Sequence, residues 1–328
     1  MEFRKKVELP VGEVEIRHSD KLLLWGSCFV ENMAGRLMAG KFDCRLNPYG
    51  VLYNPLSIAV AMDRLLTGYV YTQADLLAYR GLWCSLMHHG SFSDADPGRC
   101  LARIRAASED AAAFLKEADW LLVTFGTARV YEWKETGQVV GNCHKLPERQ
   151  FVRRLAGVDE IVCTYAALLD RLHALNPRLQ VLFTVSPIRH ARDGMHGNQL
   201  SKAVLLLAVD RLCSQRTDCH YFPAYEILLD ELRDYRFYAD DMLHPSAQAV
   251  EYIWECFGQT YFTAATQSLL REVAEVRRGV EHRPFRPDSE EYRRFLSQIL
   301  LKIAQLQEKF PYLDFQKETE ICQTQLKK

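Results

Sequence analysis

The chain alternates between short apolar runs and longer stretches in which apolar and polar positions recur with helical spacing. Continuous apolar runs predict the strands of a parallel sheet that is covered on both faces. Such runs occupy 22–25, 120–125 and 180–185, and shorter strands are predicted at 41–46 and 220–222. This pattern predicts an α/β protein with a mainly parallel sheet.

Between these strands, apolar residues recur close to every 3.6 positions, which is typical of amphipathic helices. The predicted helices span 29–38, 56–66, 101–118, 159–175, 198–214 and 247–257. A strand is also predicted at 79–89, a turn or loop at 91–98, and a hairpin or an irregular excursion at 129–140. The remaining chain is helical and highly charged, so we expect a domain at 1–263 and a helical appendage at 264–328.

Polar clusters follow the predicted strands at the points where those strands end. They lie at 26–27, 47–50, 126–127, 186–190 and 241–244. In open parallel sheets, ligands bind outside the carboxyl ends of the strands. We therefore expect these five clusters to converge on a single site.

Composition narrows the classes of function. The chain has 328 residues, of which 48% are hydrophobic and 25% charged, with a formal net charge of -1. No global field therefore favours nucleic acid or an anionic membrane as a partner. The longest apolar run, 203–209, is too short to span a bilayer.

The start of the chain and the cysteine spacing predict a cytoplasmic location. The basic residues near the start are not followed by an apolar stretch, so a secretory signal is not expected. The ten cysteines include no C-x-x-C pair, so we expect reduced thiols and no zinc ribbon. No cofactor and no metal are expected.

One strand turns directly into a helix through Gly26-Ser27. This geometry would place a hydroxyl under the free N–H groups of the first helical turn, as in a nucleophile elbow. The alternative is that Ser27 only caps the helix. A serine nucleophile needs a base and an orienting acceptor, and His244 with Asp241 supplies both on one short loop. An oxyanion hole could use the Ser27 and Gly50 N–H groups with a side-chain amide, although Gly50 could be only a turn residue.

Gly26-Ser27-Cys28-Phe29 closely resembles the signature of the GSCFA family, with Val30 where the family name has Ala. The resemblance covers about residues 20–260. Further matching segments, in this order, are NPYGVLYNP, TFGTA, NCHKLP, TVSPIRH, YFPAYEILLDELRDYRFYADD and LHPS.

GSCFA proteins resemble the SGNH (GDSL-type) esterase superfamily. That resemblance implies a flavodoxin-like three-layer α/β/α sandwich, with Ser27 as nucleophile, His244 as base and Asp241 as its orienter. It also implies Gly50 as a backbone oxyanion donor. The superfamily usually has Gly-x-Asn after the middle strand, but here Ala128 stands in place of the Asn.

The missing amide leaves other residues as oxyanion or substrate-binding groups. Asn142 is the first candidate for the absent donor, and Thr127 is the second. Gly126 and His144, on the same two loops, are further candidates. The remaining pair, Arg189 and His190, could bind an anionic or sugar substrate, or Arg189 could form a structural salt bridge.

Two other chemistries use residues of the same loops. Cys28 adjoins the elbow at a helix N-terminus, where a thiolate would be stabilised, but a buried structural cysteine is the commoner outcome. Cys143 and His144, with His190 and His244, could suggest a metal, but they lack a recognised ligand spacing.

The sequence thus predicts a serine ester hydrolase acting on a small acyl ester such as an O-acetylated carbohydrate. Acyl transfer by the same triad and a non-catalytic binding module on the same fold are the alternatives. The binding module is favoured by Ala128 and opposed by the retained Ser27, Asp241 and His244. The apolar residues of the C-terminal helices could pack on the domain or join two chains; they are Leu300, Leu301, Ile303, Leu306 and Phe310.

Overall fold

A five-stranded parallel sheet forms the centre of the protein. The computed structural model describes residues 4–327. The strands are β1 (Leu22–Gly26), β2 (Cys44–Leu46), β3 (Leu77–Tyr79), β4 (Leu82–Cys84), β5 (Trp120–Phe125), β6 (Arg129–Trp133), β7 (Val139–Val140), β8 (Phe151–Leu155), β9 (Gln180–Val185) and β10 (Cys219–Phe222).

The order of the central sheet is β2-β1-β5-β9-β10, and every neighbouring pair is parallel. Numbered along the chain, these five strands stand in the order 2-1-3-4-5, which is the flavodoxin-like order. The predicted parallel α/β fold is therefore confirmed. The strand order reverses beside β1, so the ligand-binding crevice is expected outside the carboxyl ends of β1 and β5.

Helices cover the sheet on both faces. They are α1 (Cys28–Ala39), α2 (Pro55–Thr67), α3 (Pro97–Glu117), α4 (Val158–Leu175), α5 (Gly194–Gln215), α6 (Ala224–Glu226), α7 (Ala247–Tyr261), α8 (Ala264–Glu281), α9 (Glu290–Lys309) and α10 (Gln316–Leu326). A π-helical segment, Ile227–Leu232, follows α6 directly. The remaining short 3-10 turns lie in connecting segments.

Alternate residues of β1 enter two separate apolar cores. Leu23 and Trp25 pack with α2, α3, α4 and α5 on one face of the sheet. Leu22 and Leu24 pack with α1 and α7 on the other face. Successive side chains of a strand point to opposite faces, so these two cores make the predicted three-layer sandwich.

Three predicted element boundaries are wrong. The helix α3 begins inside the predicted 91–98 turn, because Asp96 accepts a hydrogen bond from the Arg99 N–H and caps it. The segment predicted as one strand at 79–89 instead contributes to the β3–β4 hairpin, which turns through Arg80 and Gly81, both with positive φ. The helix α5 also begins four residues before its predicted start at 198.

A small antiparallel sheet is inserted after β5. Its order is β7-β6-β8, so the predicted hairpin at 129–140 is confirmed and β8 is an addition. The Ala156 N–H donates to the Ala128 carbonyl at 2.8 Å. The chain therefore leaves the central domain and returns to it at one point. We call residues 129–155 the insertion.

The C-terminal helices α8, α9 and α10 share an apolar core of their own. They also contact the sandwich, where Lys41 and Glu318 form an ion pair at 2.8 Å. Of the apolar side chains predicted to pack there or to join two chains, Ile303 and Leu306 are buried and Leu301 is 60% exposed. Association of two chains stays a prediction.

The proposed division of the chain also stays a prediction. The predicted bounds are 1–263 for the domain and 264–328 for the helical appendage. Residues 1–3 and 328 of these ranges lie outside the described residues. The ten cysteines all fall within the described residues and carry free thiols. Within that same part of the chain, no helix is both long and apolar enough to cross a membrane.

Candidate active site

The turn between β1 and α1 is fixed by close packing at Gly26. Its φ is +142°, and a Cβ at this position would lie 2.2 Å from the Thr124 carbonyl oxygen, so only glycine fits. The Gly26 N–H donates to Asn47 Oδ1 at 2.8 Å. The next residue, Ser27, is therefore held in place by two neighbouring segments of the chain.

Ser27 occupies the N-cap position of α1, but its hydroxyl makes no capping hydrogen bond. The residue is 1% exposed, and its Oγ has no hydrogen-bond partner within residues 4–327. A buried hydroxyl without a partner is unusual, since such groups are normally hydrogen-bonded. The Ser27 side chain therefore does not cap α1, and the helix-cap alternative is wrong.

A pocket of about 590 Å³ opens beside Ser27 at the carboxyl edge of the sheet. It contains most of the residues that the sequence proposed for the site. The proposed residues that line it are Ser27, Thr127, Asn142, Arg189, His190 and His244. Convergence of the strand-end loops thus brings distant segments of the chain into one cavity.

Asp241 holds the His244 ring from the loop before α7. Its Oδ2 lies 2.5 Å from His244 Nδ1, while its Oδ1 accepts the N–H groups of Leu243 and His244 at 2.9 and 3.0 Å. These backbone donors, more than the imidazole, lower the pKa of the Asp241 carboxyl to about 2. The carboxylate is therefore ionised at neutral pH and can orient the ring. His244 and Ser27 line the same pocket without a hydrogen bond between their side chains.

Arg189, in the loop after β9, forms hydrogen bonds to the His244 loop. Its N–H donates to the Leu243 carbonyl at 3.2 Å, and its guanidinium donates to the Met242 carbonyl at 3.4 Å. The guanidinium also stands over the rings of Tyr238 and Tyr235, at 4.2 and 5.1 Å from their centroids. Within residues 4–327, Arg189 forms no ion pair, so the salt-bridge alternative is wrong.

His190 lies close to the candidate nucleophile. A Cβ built on Gly126 would be 3.2 Å from His190 Nε2 and 3.3 Å from Ser27 Cβ. Burial is the largest cause that lowers the pKa of the His190 imidazole to about 4, and the charge of Lys202 adds to it. The ring is therefore neutral at pH 7. Its buried Nε2 has no partner among the described residues.

Lys202 is a buried lysine directly beneath this region. Its Nζ donates to the carbonyls of Gly126 and Ser186, at 2.7 and 2.6 Å. These carbonyls belong to the residues that follow β5 and β9, so the lysine joins the two strand ends. Burial lowers the pKa of the Lys202 ammonium from its ordinary value of 10.5 to about 7. An amphipathic-helix pattern would place such a lysine in solvent, and no sequence signal indicated its burial.

Several proposed oxyanion donors are already engaged in backbone hydrogen bonds. The Gly50 N–H donates to the Asn47 carbonyl at 2.7 Å, and Gly50 packs against His89, outside the residues lining the pocket. The N–H groups of Gly126 and Thr127 both donate to the Tyr53 carbonyl. The Ser27 N–H is in none of the turn and loop hydrogen bonds of residues 4–327.

Ala128, at the position where the resemblance predicts an Asn, lies outside the pocket lining. Ala128 is fully buried, and its N–H donates to Ser201 Oγ at 2.7 Å. The Thr127 hydroxyl lies 3.0 Å from the same Ser201 oxygen and accepts the Arg129 N–H at 3.1 Å. Thr127 thus lines the pocket with a hydroxyl that already has two partners.

Two side-chain amides line the pocket. Asn142 Oδ1 accepts the His144 N–H at 2.8 Å, and Asn54 Oδ1 accepts the Ser57 N–H at 2.8 Å. Each amide therefore keeps its NH₂ group available as a donor. Asn54 follows Tyr53 directly and so lies beside the end of β5. From sequence, Asn54-Pro55 indicates only a loop. An Asn directly before a helix that begins with Pro is a typical N-cap, and this signal could have placed Asn54 at the start of α2.

His144 and Cys28 differ in their position. Cys28 is half-buried and lines the pocket, so a thiol nucleophile stays an alternative prediction. His144 lies outside the pocket lining, where its Nε2 donates to the Ser85 carbonyl at 2.8 Å. The Cys28 thiol contacts the Tyr53 hydroxyl at 3.6 Å. Among the residues that the structure describes, no three His, Cys, Asp or Glu side chains are grouped to hold a metal ion.

The insertion supplies a part of the pocket that was not predicted from sequence. Arg129 and Tyr131 of β6 and Arg153 of β8 all line the cavity. Tyr131 pairs with Arg153 across the two antiparallel strands. Arg153 makes two hydrogen bonds of 2.6 Å to Asp193, and these are the main cause that lowers the pKa of that carboxyl.

Solved structures with a similar outline include two esterases. A carbohydrate esterase family 3 protein from Talaromyces cellulolyticus is 12% identical, with a TM-score of 0.35 over 78% of this chain and 99% of that one. A mutant acetyl esterase with acetate ion is 11% identical, with the same TM-score and the same two coverages. Among curated proteins, no sequence matches this chain.

Two family models match the chain in succession. The model of the GSCFA family matches residues 21–257, which include the elbow, the sheet and the His244 loop. The model described as GSCFA domain protein, C-terminal domain, matches residues 273–328. The first match alone spans well over half of the sequence, and the chain therefore belongs to the GSCFA family.

Proposed function

We propose that this protein is a serine ester hydrolase in which Ser27, His244 and Asp241 form the catalytic triad. One observation carries the proposal. A buried Ser27 hydroxyl that caps nothing shares a pocket with an imidazole whose other nitrogen is 2.5 Å from a carboxylate. A structural serine and a surface histidine would not need this arrangement.

Each triad member has a defined task in this proposal. Ser27 Oγ attacks the acyl carbonyl carbon and passes its proton to His244 Nε2. Asp241 holds the proton of Nδ1, which fixes the neutral tautomer and then stabilises the imidazolium. The imidazolium returns a proton to the leaving alcohol as the tetrahedral intermediate collapses to the acyl-enzyme.

The oxyanion needs donors that are not already occupied. The Ser27 N–H is the proposed backbone donor, and the Asn54 amide is the proposed side-chain donor. Asn54 is favoured over Asn142 because the Tyr53 carbonyl accepts the N–H groups of Gly126 and Thr127, which holds this segment beside Ser27. Gly50 is not proposed, since its N–H is bound to Asn47.

Hydrolysis is favoured over acyl transfer by the exposure of the base. The His244 side chain is 47% exposed, so water can reach the imidazole. In deacylation the imidazole must activate this water. Acyl transfer would require this water to be excluded. The acyl group is proposed to be small, such as acetyl, and the alcohol to be a carbohydrate. This part of the proposal rests on superfamily analogy.

The test is labelling of the full-length protein with a fluorophosphonate probe, which reacts covalently with activated serines. We expect stoichiometric labelling of the wild type and none of Ser27→Ala. Labelling of His244→Ala should be strongly slowed because the base is gone. The matched control is Cys28→Ala, which removes the neighbouring nucleophile and should label like the wild type.

Two results would contradict the proposal. Labelling that survives in Ser27→Ala but is lost in Cys28→Ala would assign the nucleophile to the thiol. A folded wild type that neither labels nor cleaves any acetyl ester would favour the non-catalytic binding module. Circular dichroism on each variant separates these results from loss of folding.

A further inference from the structure

One group of pocket residues has no task in ester cleavage itself. Besides the two histidines, the pocket is lined by five basic side chains and only two acidic ones, Asp193 and Glu148. We call the five the basic cluster; they are Arg129, Lys145, Arg153, Arg189 and Arg192. The whole chain has a net charge of -1, so this excess is local.

The two carboxylates do not neutralise the basic cluster. Asp193 is shared between Arg153, at 2.6 Å, and Arg129, at 3.9 Å. Glu148 pairs with Arg192 from a position where its side chain is 80% exposed. Neither Arg189 nor Lys145 forms an ion pair with any described residue. A cavity with uncompensated positive charge attracts anions.

Aromatic rings also contact several of these cations. The guanidinium groups of Arg153 and Arg192 both stand over the Tyr131 ring, at 5.5 and 5.7 Å from its centroid. The Arg189 guanidinium stands over Tyr238 at 4.2 Å. Cation–π contacts orient a guanidinium without cancelling its charge, so those of its N–H groups that bind no carboxylate remain available to a ligand.

Unused donors point to the same conclusion. The Nε atoms of Arg129 and Arg153 are buried and have no hydrogen-bond partner within residues 4–327. A buried charged donor without a hydrogen-bond partner destabilises the folded protein, unless a ligand accepts its hydrogen bond. The two parallel N–H groups of a guanidinium can donate to two oxygens of one carboxylate or phosphate group.

We infer that the basic cluster binds an anionic group, a carboxylate or a phosphate, on the alcohol part of the ester that Ser27 cleaves. The inference rests on the proposed function and adds to it a substrate class: the acyl ester of a sugar acid or of a sugar phosphate. Esters of neutral sugars would occupy the pocket without using these donors.

The experiment compares three soluble acetyl esters with the full-length protein. They are O-acetylated glucose, O-acetylated glucuronate and O-acetylated glucose 6-phosphate. We expect kcat/KM for at least one of the two anionic esters to exceed that of the neutral ester by about tenfold or more. The two anionic arms distinguish carboxylate from phosphate. Equal rates for all three esters would overturn the inference and leave the proposed function intact.

Variants of opposite sign sharpen the comparison. Arg192→Gln removes one cation of the basic cluster and should lower the ratio of anionic to neutral kcat/KM several-fold. Glu148→Gln removes the acid that pairs with Arg192 and should raise that ratio. The matched control is Arg171→Gln, since Arg171 is an exposed arginine paired with Asp63 outside the pocket. A control that changes the ratio as much as Arg192→Gln would also overturn the inference.

A binding measurement keeps the inference testable if no ester is cleaved. Calorimetric titration of Ser27→Ala with glucuronate, glucose 6-phosphate and glucose needs no turnover. We expect heat of binding for one of the anions, lost in Ser27→Ala/Arg129→Gln, and none for glucose. Absence of binding by both anions would contradict the inference whether or not the wild type is an esterase.

Discussion

The two sides of the pocket are built in different ways. On the sheet side, the elbow and the His244 loop are fixed by hydrogen bonds from backbone N–H groups to the side chains of Asn47 and Asp241, and by a glycine that admits no Cβ. On the insertion side, long cationic side chains are held by aromatic rings and by one shared carboxylate. The first construction suits reacting atoms that must be positioned closely. The second suits recognition of a charge, which tolerates small displacements.

The largest expected effect is on the sheet side. Ser27→Ala should lower kcat for a neutral acetyl ester by about 10⁴-fold or more, because the covalent route is removed. Cys28→Ala should keep most of the activity. Initial rates measured on both variants decide this, and substantial turnover by Ser27→Ala would mean that the sheet side does not hold the nucleophile.

The next prediction decides which side supplies the side-chain oxyanion donor. Asn54→Ser should lower kcat by about 10²- to 10³-fold, because one donor to the oxyanion is lost. Serine can still cap α2, so the melting temperature of the Asn54→Ser variant should differ little from that of the wild type. Asn142→Ala, in the insertion, is the comparison. A greater loss of kcat in Asn142→Ala than in Asn54→Ser would move this donor to the insertion side.

A third prediction concerns the stability of the sheet side. Lys202→Met leaves the carbonyls of Gly126 and Ser186 without their donor, which should lower the free energy of unfolding by about 1–3 kcal/mol. Denaturant unfolding measures this. An unchanged stability would show that burying the ammonium costs as much as its two hydrogen bonds contribute.

The pH dependence of that difference has a definite sign. Between about pH 7 and pH 10.5, Lys202 is deprotonated in the folded protein but protonated in the unfolded chain. The unfolded state then binds more protons, so this lysine makes the wild type more stable as pH rises through that window. The free-energy gap between wild type and Lys202→Met should therefore widen with pH. A constant gap would mean that burial does not lower the pKa of this lysine.

The smallest effect is expected from salt and concerns the insertion side. Raising the ionic strength from about 0.1 M to about 1 M shortens the Debye length from about 10 Å to about 3 Å. KM for an anionic acetyl ester should then rise by about threefold or more, while KM for the neutral ester should stay nearly constant. A parallel rise for both esters would remove the proposed difference between the two sides.

The sheet side was largely predictable from sequence. Parallel strands end at one edge, so the polar residues after them had to converge, and Ser27, Thr127 and His244 do share one pocket. Gly50 is an exception, because its N–H donates to the Asn47 carbonyl and the residue lies outside the pocket lining.

The insertion could not be predicted in the same way. Its role depends on antiparallel pairing between β6 and β8, which places Arg153 beside Tyr131 although 22 positions separate them. The alternating polarity of short strands does not determine their register. The burial of Lys202 could not be predicted either, because a lysine within a helix is normally solvated. Its two acceptors, the carbonyls of Gly126 and Ser186, come together only when the strands pack into the sheet.

The single hydrogen bond between Ala156 and Ala128 has a consequence for how new specificities arise. Because the insertion begins and ends at adjacent points, its sequence and length can change without altering the path of the central strands. On the proposed function, a chimera carrying another family member's segment between these two alanines would change one wall of the pocket and keep Ser27, His244 and Asp241 in place. The 27 residues 129–155 are therefore a place where substrate preference can change without remodelling the sheet.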